Sequence, residues 1–217
     1  MSEEILINVN LRETRVALLE NGVLQELFIE RASKRGLVGN IYKGKVVRVL
    51  PGMQAAFVEA GLQRTAFLHA SDVAKLVYGE GDIEDKRIPD IRDLLHEGQE
   101  ILAQVLKDPL GSKGARLTTR ISFPSRYLVY MPDGEGVALS TRIEETQERE
   151  RLANLMQEHL ENSAGSDGGY IVRTAGEGAT SDALRADMIY LNRLWGTIHD
   201  QAANAKAGDL VHEDLPL

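Results

Sequence analysis

Residues 39–70 read GNIYKGKVVRVLPGMQAAFVEAGLQRTAFLHA, and their rhythm decides the architecture of the middle of the chain. An apolar, β-branched run fills 41–50, and Pro51-Gly52 marks a turn. A second run covers 53–59, Ala60-Gly61 breaks it, and a third covers 64–68. Runs this short, rich in Val and Phe and closed by Gly or Pro, are strands rather than helices. Further on, 100–107 predicts a fourth strand, 109–114 a turn and 115–121 a fifth strand. Between them, 70–76 reads as a short helix or loop, 77–89 as a mobile acidic loop and 91–95 as a helical turn. Five short strands with one interruption are the pattern of an OB-type barrel, here spanning about 36–119.

The flanks have a different rhythm. Ile5, Ile7 and Val9 alternate with their neighbours, 14–19 is a second strand candidate, and 23–29 is a third. Asn21-Gly22 joins the last two, because both residues accept the positive φ of a tight hairpin turn. This opening sheet has no helix near it in sequence and needs a partner from elsewhere. After the barrel, 126–131 and 136–139 are strands, and 146–160 is a helix with Leu152, Leu155, Met156 and Leu160 on one face. A polar, glycine-rich loop over 162–169 precedes a strand at 170–174 and a loop at 175–178. Thr180 or Ser181 caps a second helix whose core face is Leu184, Met188, Leu191, Trp195 and Ile198. Beyond Gln201 the residues turn small and polar. The closing Leu-Pro-Leu, where a new extended run begins, reads as an interruption, so the expectation is a fragment of a longer protein. No internal repeat is visible.

Composition bounds the chemistry. With no cysteine among 217 residues, disulfides, thiolate-bound zinc and a cysteine nucleophile are excluded from this stretch. The N-terminus lacks a signal peptide's basic segment, and no stretch approaches the roughly 20 apolar residues of a membrane span. A cytoplasmic protein is expected. The net charge of −8 argues against nucleic acid, but its distribution argues the other way. Six bases and no acid lie within 31–58, and five bases and one acid within 107–132, while 80–100 and 133–161 carry eight acids each. Local charge, not net charge, makes an electrostatic footprint.

An OB barrel binds single strands by stacking bases on exposed aromatics beside a basic groove. Two of the four phenylalanines, Phe57 and Phe67, lie on adjacent strand candidates in or just past the acid-free region. Lys43 and Lys45 sit on the strand before, and Lys113 on a glycine-flanked turn where it can reach a phosphate. A single phenylalanine is more often buried than exposed. In Ala55-Ala56-Phe57-Val58, however, alternation lets the small and branched neighbours fill the core while Phe57 points out. Asp85, Asp90 and Asp93 lie close together but lack the turn glycine and distal glutamate of a calcium loop, so a solvated loop is the better reading.

Longer motifs carry a resemblance. Residues Gly39 to Val46, Ala56 to Gly61, Ala66 to His69 and Glu97-Gly98-Gln99 resemble the S-one type of RNA-binding barrel. Asn40-Ile41-Tyr42-Lys43-Gly44, Leu50-Pro51-Gly52-Met53-Gln54-Ala55-Ala56-Phe57-Val58 and Lys107-Asp108-Pro109-Leu110-Gly111 resemble the bacterial ribonuclease E/G family. Lys113-Gly114-Ala115-Arg116-Leu117-Thr118-Thr119 and Val172-Arg173-Thr174-Ala175 agree, and the wording is nearer to the G-type than to the E-type members. The resemblance covers essentially the whole chain.

It implies a β-rich α+β architecture. Residues 1–35 would be the first strands of an RNase H-like domain, 36–119 the OB-fold barrel, 120–205 a 5′-sensor-like α/β domain, and 206–217 a tail leading to a C-terminal part. The implied protein is a single-strand-specific endoribonuclease, a hydrolase of rRNA maturation and mRNA decay. Phe57, Phe67, Lys113 and Lys43 would contact RNA. Arg173, Thr174, Ser125 and Val129 would hold a 5′-monophosphate, a guanidinium forking onto its oxygens. A family glycine aligns with Ser125, and a supporting family arginine aligns with Thr141, with Arg142 directly after. The Mg²⁺-binding catalytic aspartates, and a zinc-binding cysteine pair, would lie beyond this chain, so alone it would bind RNA without cutting it. The complete protein would be a homo-oligomer. The alternatives are a stand-alone RNA-binding module without nuclease activity, and a barrel that mediates protein contacts.

Overall fold

A computed structural model describes residues 2–73, 89–162 and 168–215. The acidic loop expected at 77–89, with Asp85, and most of the polar loop at 162–169 lie outside the described residues. The central barrel is built from β4 (Ile41–Leu50), β5 (Ala55–Glu59), β6 (Ala66–His69), β7 (Glu100–Lys107) and β8 (Arg116–Thr118). Their order is β4-β5-β6-β8-β7, and antiparallel pairing of β4 with β7 closes the ring. The pairing of β6 with β8 is parallel. Period-2 alternation sends Val46, Ala56, Val58, Ala66, Leu68 and Leu117 inward, all fully buried. Burying a leucine such as Leu68 is worth about 1.5–3 kcal/mol.

The second strand starts two residues later than the sequence predicts. Pro51–Met53 forms a 3-10 turn, and Gln54 follows in the left-handed region at φ 48°. There Gln54 is a connector: its side-chain amide donates to Pro51 O (2.8 Å), and its Oε1 accepts from Ile91 N (3.0 Å). That fixes the start of α1 (Ile91–Leu94), whose Ile91 is fully buried under the barrel. Asp90, read from sequence as solvated, caps this turn by accepting from Arg92 N at 2.9 Å.

After the barrel come β9 (Phe123–Pro124), β10 (Leu128–Met131), β11 (Val137–Leu139), α2 (Thr146–Asn162), β12 (Gly169–Val172) and α3 (Ser181–Asn204). The sheet order is β11-β12-β10-β9, with β11 and β12 parallel. Leu152 and Met156 of α2 and Leu184, Met188, Leu191 and Ile198 of α3 bury against it, while Trp195 packs tilted on Phe123 at 6.0 Å. Thr180 caps α3, accepting from Ala183 N. This core also takes in Ile41 and Leu102 from the outer side of the barrel, so the two units share one hydrophobic seam.

Residues 206–217, expected as a tail, are tied down in part. β13 (Leu210–His212) pairs antiparallel with the first residues of β4, Leu210 with Tyr42 and His212 with Ile41. The reason is geometric. On one edge β4 pairs with β7 through residues 41–45, but on the other it meets β5 from Lys45 onward. β13 satisfies the edge that β5 leaves open. Gly208 donates its N–H to Lys43 O (2.7 Å), Asn40 Oδ1 accepts from Asp214 N (2.8 Å), and Arg35 pairs with Glu213 (2.6 Å). Gly61 makes the approach possible: it adopts φ 72°, and a Cβ there would collide with the Gly208 carbonyl oxygen.

The opening strands β1 (Glu3–Val9), β2 (Glu13–Glu20) and β3 (Val23–Arg31) form an antiparallel sheet of their own. Asn21 (φ 50°) and Gly22 (φ 76°) make its hairpin turn as the sequence predicts. The row Ile7–Val16–Phe28 lies on one face and Leu6–Ala17–Leu27 on the other. Both faces stay open: Ile7 is 67% and Leu27 54% exposed.

Gly61→Ala combines a left-handed backbone with that collision. It should destabilise the chain by about 2 kcal/mol or more in urea unfolding. An unchanged midpoint would show that β13 does not depend on this approach.

Candidate nucleic-acid interface

The outer surface of β4, β5, β6 and β8 carries a continuous row of side chains. Phe57 lies across from Phe67, Phe67 across from Arg116, and Arg48 across from Phe57. Both rings are half-buried, outside the barrel, meeting edge to face at 6.4 Å. Their inward neighbours Ala56, Val58, Ala66 and Leu68 are fully buried, so the pleat itself turns the rings outward. His69 extends the row along β6, its ring near-parallel to Phe67 at 6.5 Å. Its Nδ1 accepts from Ser71 N (3.1 Å), which holds the ring in place.

A β-bulge sets the charge beside the rings. Register shifts between Val46 and Arg48, where one extra residue enters β4. Strict alternation after Lys43 and Lys45 would put Val47 opposite Phe57. The bulge puts Arg48 there instead.

The lysines singled out from the sequence are not cross-strand partners of the rings. Lys43 pairs across β4 with Leu102, and its Nζ lies 3.9 Å from Glu100. Five residues from Arg48, it is about 16 Å along the strand from the rings. Lys113 is exposed at the end of a tight turn, where Leu110 and Lys113 bridge each other through both backbone groups (3.2 and 3.0 Å). Arg116, beside Phe67, is held by Asp72 at 2.8 Å.

A second cationic site forms where β12 ends. Arg173 is exposed, takes its backbone hydrogen bond from its own N–H to Tyr127 O (2.8 Å), and donates Nη1–H to Ser125 O. Thr174 opens the 3-10 turn Thr174–Gly176. Val129 of β10 pairs with Ile171 and Pro124, next to the turn. Ser140, just past β11, donates its N–H to Val172 O, which brings exposed Thr141 and Arg142 to the same sheet end. Ser125 has no idle polar group. Its N–H donates to Leu128 O (2.8 Å), and its hydroxyl lies 2.6 Å from Asp187 Oδ2 and 3.1 Å from Leu128 O. The same Asp187 oxygen accepts from Tyr127 N at 2.8 Å. The serine at this position is therefore absorbed by α3.

The loop after Thr174 is tethered to α2. Glu148 accepts from Gly178 N (2.8 Å) and takes both arms of the Arg151 guanidinium at 2.7 Å, while Arg151 also donates to Ala179 O. The Arg151 hydrogen bond first, and the Gly178 N–H second, hold the Glu148 carboxyl down to about 2.

Comparison with known proteins agrees with both halves of this geometry. A model of the S1 RNA binding domain matches residues 37–120, and a model of the Ribonuclease E/G family matches 122–217. Ribonuclease G of Salmonella typhimurium (strain SL1344) is 48% identical over 219 residues, covering 100% of this chain and 44% of its own length. Ribonuclease G of Haemophilus influenzae is 52% identical over 194 residues, covering 88% and 39%. Ribonuclease E of Escherichia coli (strain K12) is 38% identical over 217 residues, covering 98% and 20%. The chain belongs to the ribonuclease E/G family. It spans less than half the length of the ribonuclease G relatives it matches. Among solved structures, a chain of "Crystal structure of a/eIF2alpha-aDim2p-rRNA complex from Pyrococcus horikoshii OT3" covers 59% of this chain and 57% of its own. At 20% identity and a TM-score of 0.30, that likeness bears on neither fold nor function.

In this ribonuclease E/G chain, reading the sequence missed Arg48, Arg116, Asp187 and Glu148. The Glu148–Arg151 spacing, an acid three residues before an arginine at a helix start, was a signal for one of them. Nothing local signals the others, whose partners lie across strands or in distant turns. Among the described residues, no three His, Asp or Glu side chains come together to hold a metal ion, and no helix is long and apolar enough to cross a membrane.

Two outcomes follow. Asp187→Ala should free Tyr127 N–H and cost about 1–3 kcal/mol, visible as faster amide exchange at Tyr127; unchanged protection would remove Asp187 from the turn. For Glu148, a depressed folded pKa means its stabilisation is complete above the ordinary glutamate range and fades as pH falls toward 2. Carbon-detected titration should place its midpoint near 2, with the Gly178 amide shift moving in step. A midpoint of about 4.3, the unperturbed value, would mean the tether is absent in solution.

Proposed function

We propose that this chain is the RNA-recognition part of a single-strand-specific endoribonuclease of RNA processing and decay, acting in the cytoplasm. One observation carries the reading: two outward phenylalanine rings, in contact on the outside of a closed barrel, between Arg48 and Arg116. Stacking on such rings holds a base at about 1–3 kcal/mol and accepts any base, because each has a π-face. A double helix hides those faces, so single strands are favoured. Lys113 on its exposed turn, and Lys43 farther along β4, would follow the backbone.

The Arg173 site would read the RNA's 5′ end. One of five guanidinium donors is engaged with Ser125 O, leaving others to fork onto a terminal monophosphate with the Thr174 hydroxyl alongside. Ser125 and Val129 would shape this pocket through their backbone rather than through the serine hydroxyl, which α3 already holds. Arg142, at the same sheet end, is placed to add charge where the family arginine is replaced by Thr141.

Hydrolysis is assigned to no residue here. The Mg²⁺ expected of such a nuclease finds no ligand set among the described residues, and we place its carboxylates, and any zinc, in further chain. In the same reading, residues 1–35 are the first strands of an RNase H-like domain whose remaining elements cover the two open apolar faces, residues 120–205 are the 5′ sensor, and the complete protein is a homo-oligomer.

The test is binding of a short single-stranded RNA carrying either a 5′-monophosphate or a 5′-hydroxyl. Phe57→Ala should weaken both by about tenfold, from the lost stacking. Arg173→Ala should abolish the preference for the monophosphate and leave hydroxyl-ended RNA unaffected. No binding by the unaltered chain, or indifference to both changes, would overturn the assignment.

A further inference from the structure

Counting the charges on the aromatic face singles out one side chain. Four cations project from its strands: Lys43, Lys45 and Arg48 on β4 and Arg116 on β8. Three face an acid. Lys43 Nζ lies 3.9 Å from Glu100, Lys45 is directly across β4–β5 from Glu59, and Arg116 is bound to Asp72 at 2.8 Å. Arg48 faces Phe57 instead, is exposed, and has no ion pair with any described residue. Glu97, in the turn before β7, accepts from Val49 N with a carboxylate oxygen (3.2 Å).

The bulge between Val46 and Arg48 is what places that charge. Without it Val47 would face Phe57, and no cation of β4 would lie directly across from the ring. With it, Arg48 and Phe57 are cross-strand partners whose Cβ atoms lie about 5 Å apart. A nucleotide is built on the same scale: a base that stacks and, a few ångströms away, a phosphate that takes a bidentate guanidinium.

Resting on the RNA-binding reading above, we propose that Arg48 grips the phosphate of the nucleotide whose base stacks on Phe57. It supplies the main electrostatic contact of this face, ahead of Lys43, and the β4 bulge exists to deliver it. A paired cation such as Lys43 or Arg116 must first surrender its carboxylate, so its net gain on meeting phosphate is smaller. An unopposed arginine releases counterions from the strand at no such cost.

The experiment is the salt dependence of binding to a labelled oligouridylate, measured on the full chain. For single strands, each phosphate contact contributes about 0.7 to the slope of log K against log salt. Arg48→Gln should lower the slope by about that amount and weaken binding several-fold at low salt, with the thermal midpoint unchanged because the side chain is exposed. Arg48→Lys should restore the slope, and Lys43→Gln should change it by less than half as much as Arg48→Gln. Phe57→Ala should weaken binding equally at every salt and leave the slope alone. If Phe57→Ala weakens binding while Arg48→Gln keeps the full slope, or if Lys43→Gln lowers it as far, the proposal for Arg48 is wrong and the RNA-binding face survives. Indifference to Phe57→Ala would overturn both.

Discussion

Barrel closure, the antiparallel pairing of β4 with β7, is the constraint from which the other positions follow. Closing a five-stranded ring leaves no idle ladder between its first and last long strands, and it forces a strict inside and outside on every residue. The inside is the packed column of Val46, Val58, Leu68 and Leu117. The outside is divided. Toward one end of β4 and β7, Ile41 and Leu102 become part of the neighbouring α/β core. Toward the other end of β4, Arg48 stands beside the aromatic pair. One strand is thus barrel wall, domain seam and candidate binding surface along its ten residues.

The two candidate sites are stiff for different reasons. The aromatic row lies on paired strands, where the pleat fixes side-chain direction and the bulge fixes register. The Arg173 site lies at strand ends, where the sheet does not hold the chain, and side chains from both helices do that work. Asp187 of α3 gathers the turn before β10, and Glu148 and Arg151 of α2 gather the loop after β12. Acids so close to an anion site weaken its field, yet each is committed to backbone N–H groups or to an arginine, which spreads its charge.

The N-terminal sheet differs from both. Its three strands pair along their length, yet both faces keep large aliphatic side chains in water, at a cost of about 25 cal/mol for each Å² left uncovered. A two-sided apolar sheet is the mark of a middle layer rather than of a surface.

Local chemistry was enough to locate most elements. The five barrel strands, the Asn21-Gly22 turn, both long helices, a cap at Thr180 or Ser181 and the outward alternation of Phe57 could be read from residues adjacent in sequence, because alternation, turn preference and capping act over two to four positions. What eluded that reading depends on distant partners. Strand β13 was invisible because its three residues have little preference of their own and are held by an edge of β4 some 170 positions earlier. Lys43 looked like the basic neighbour of the rings because one-residue alternation continued past Lys45. The bulge that breaks it is a property of the β4–β5 pairing and hands the place to Arg48. Asp187 and Ser125 are 62 residues apart and meet only because α3 packs on the sheet. Register and long-range contact are set by how whole elements fill space together, and no short window of sequence carries that information.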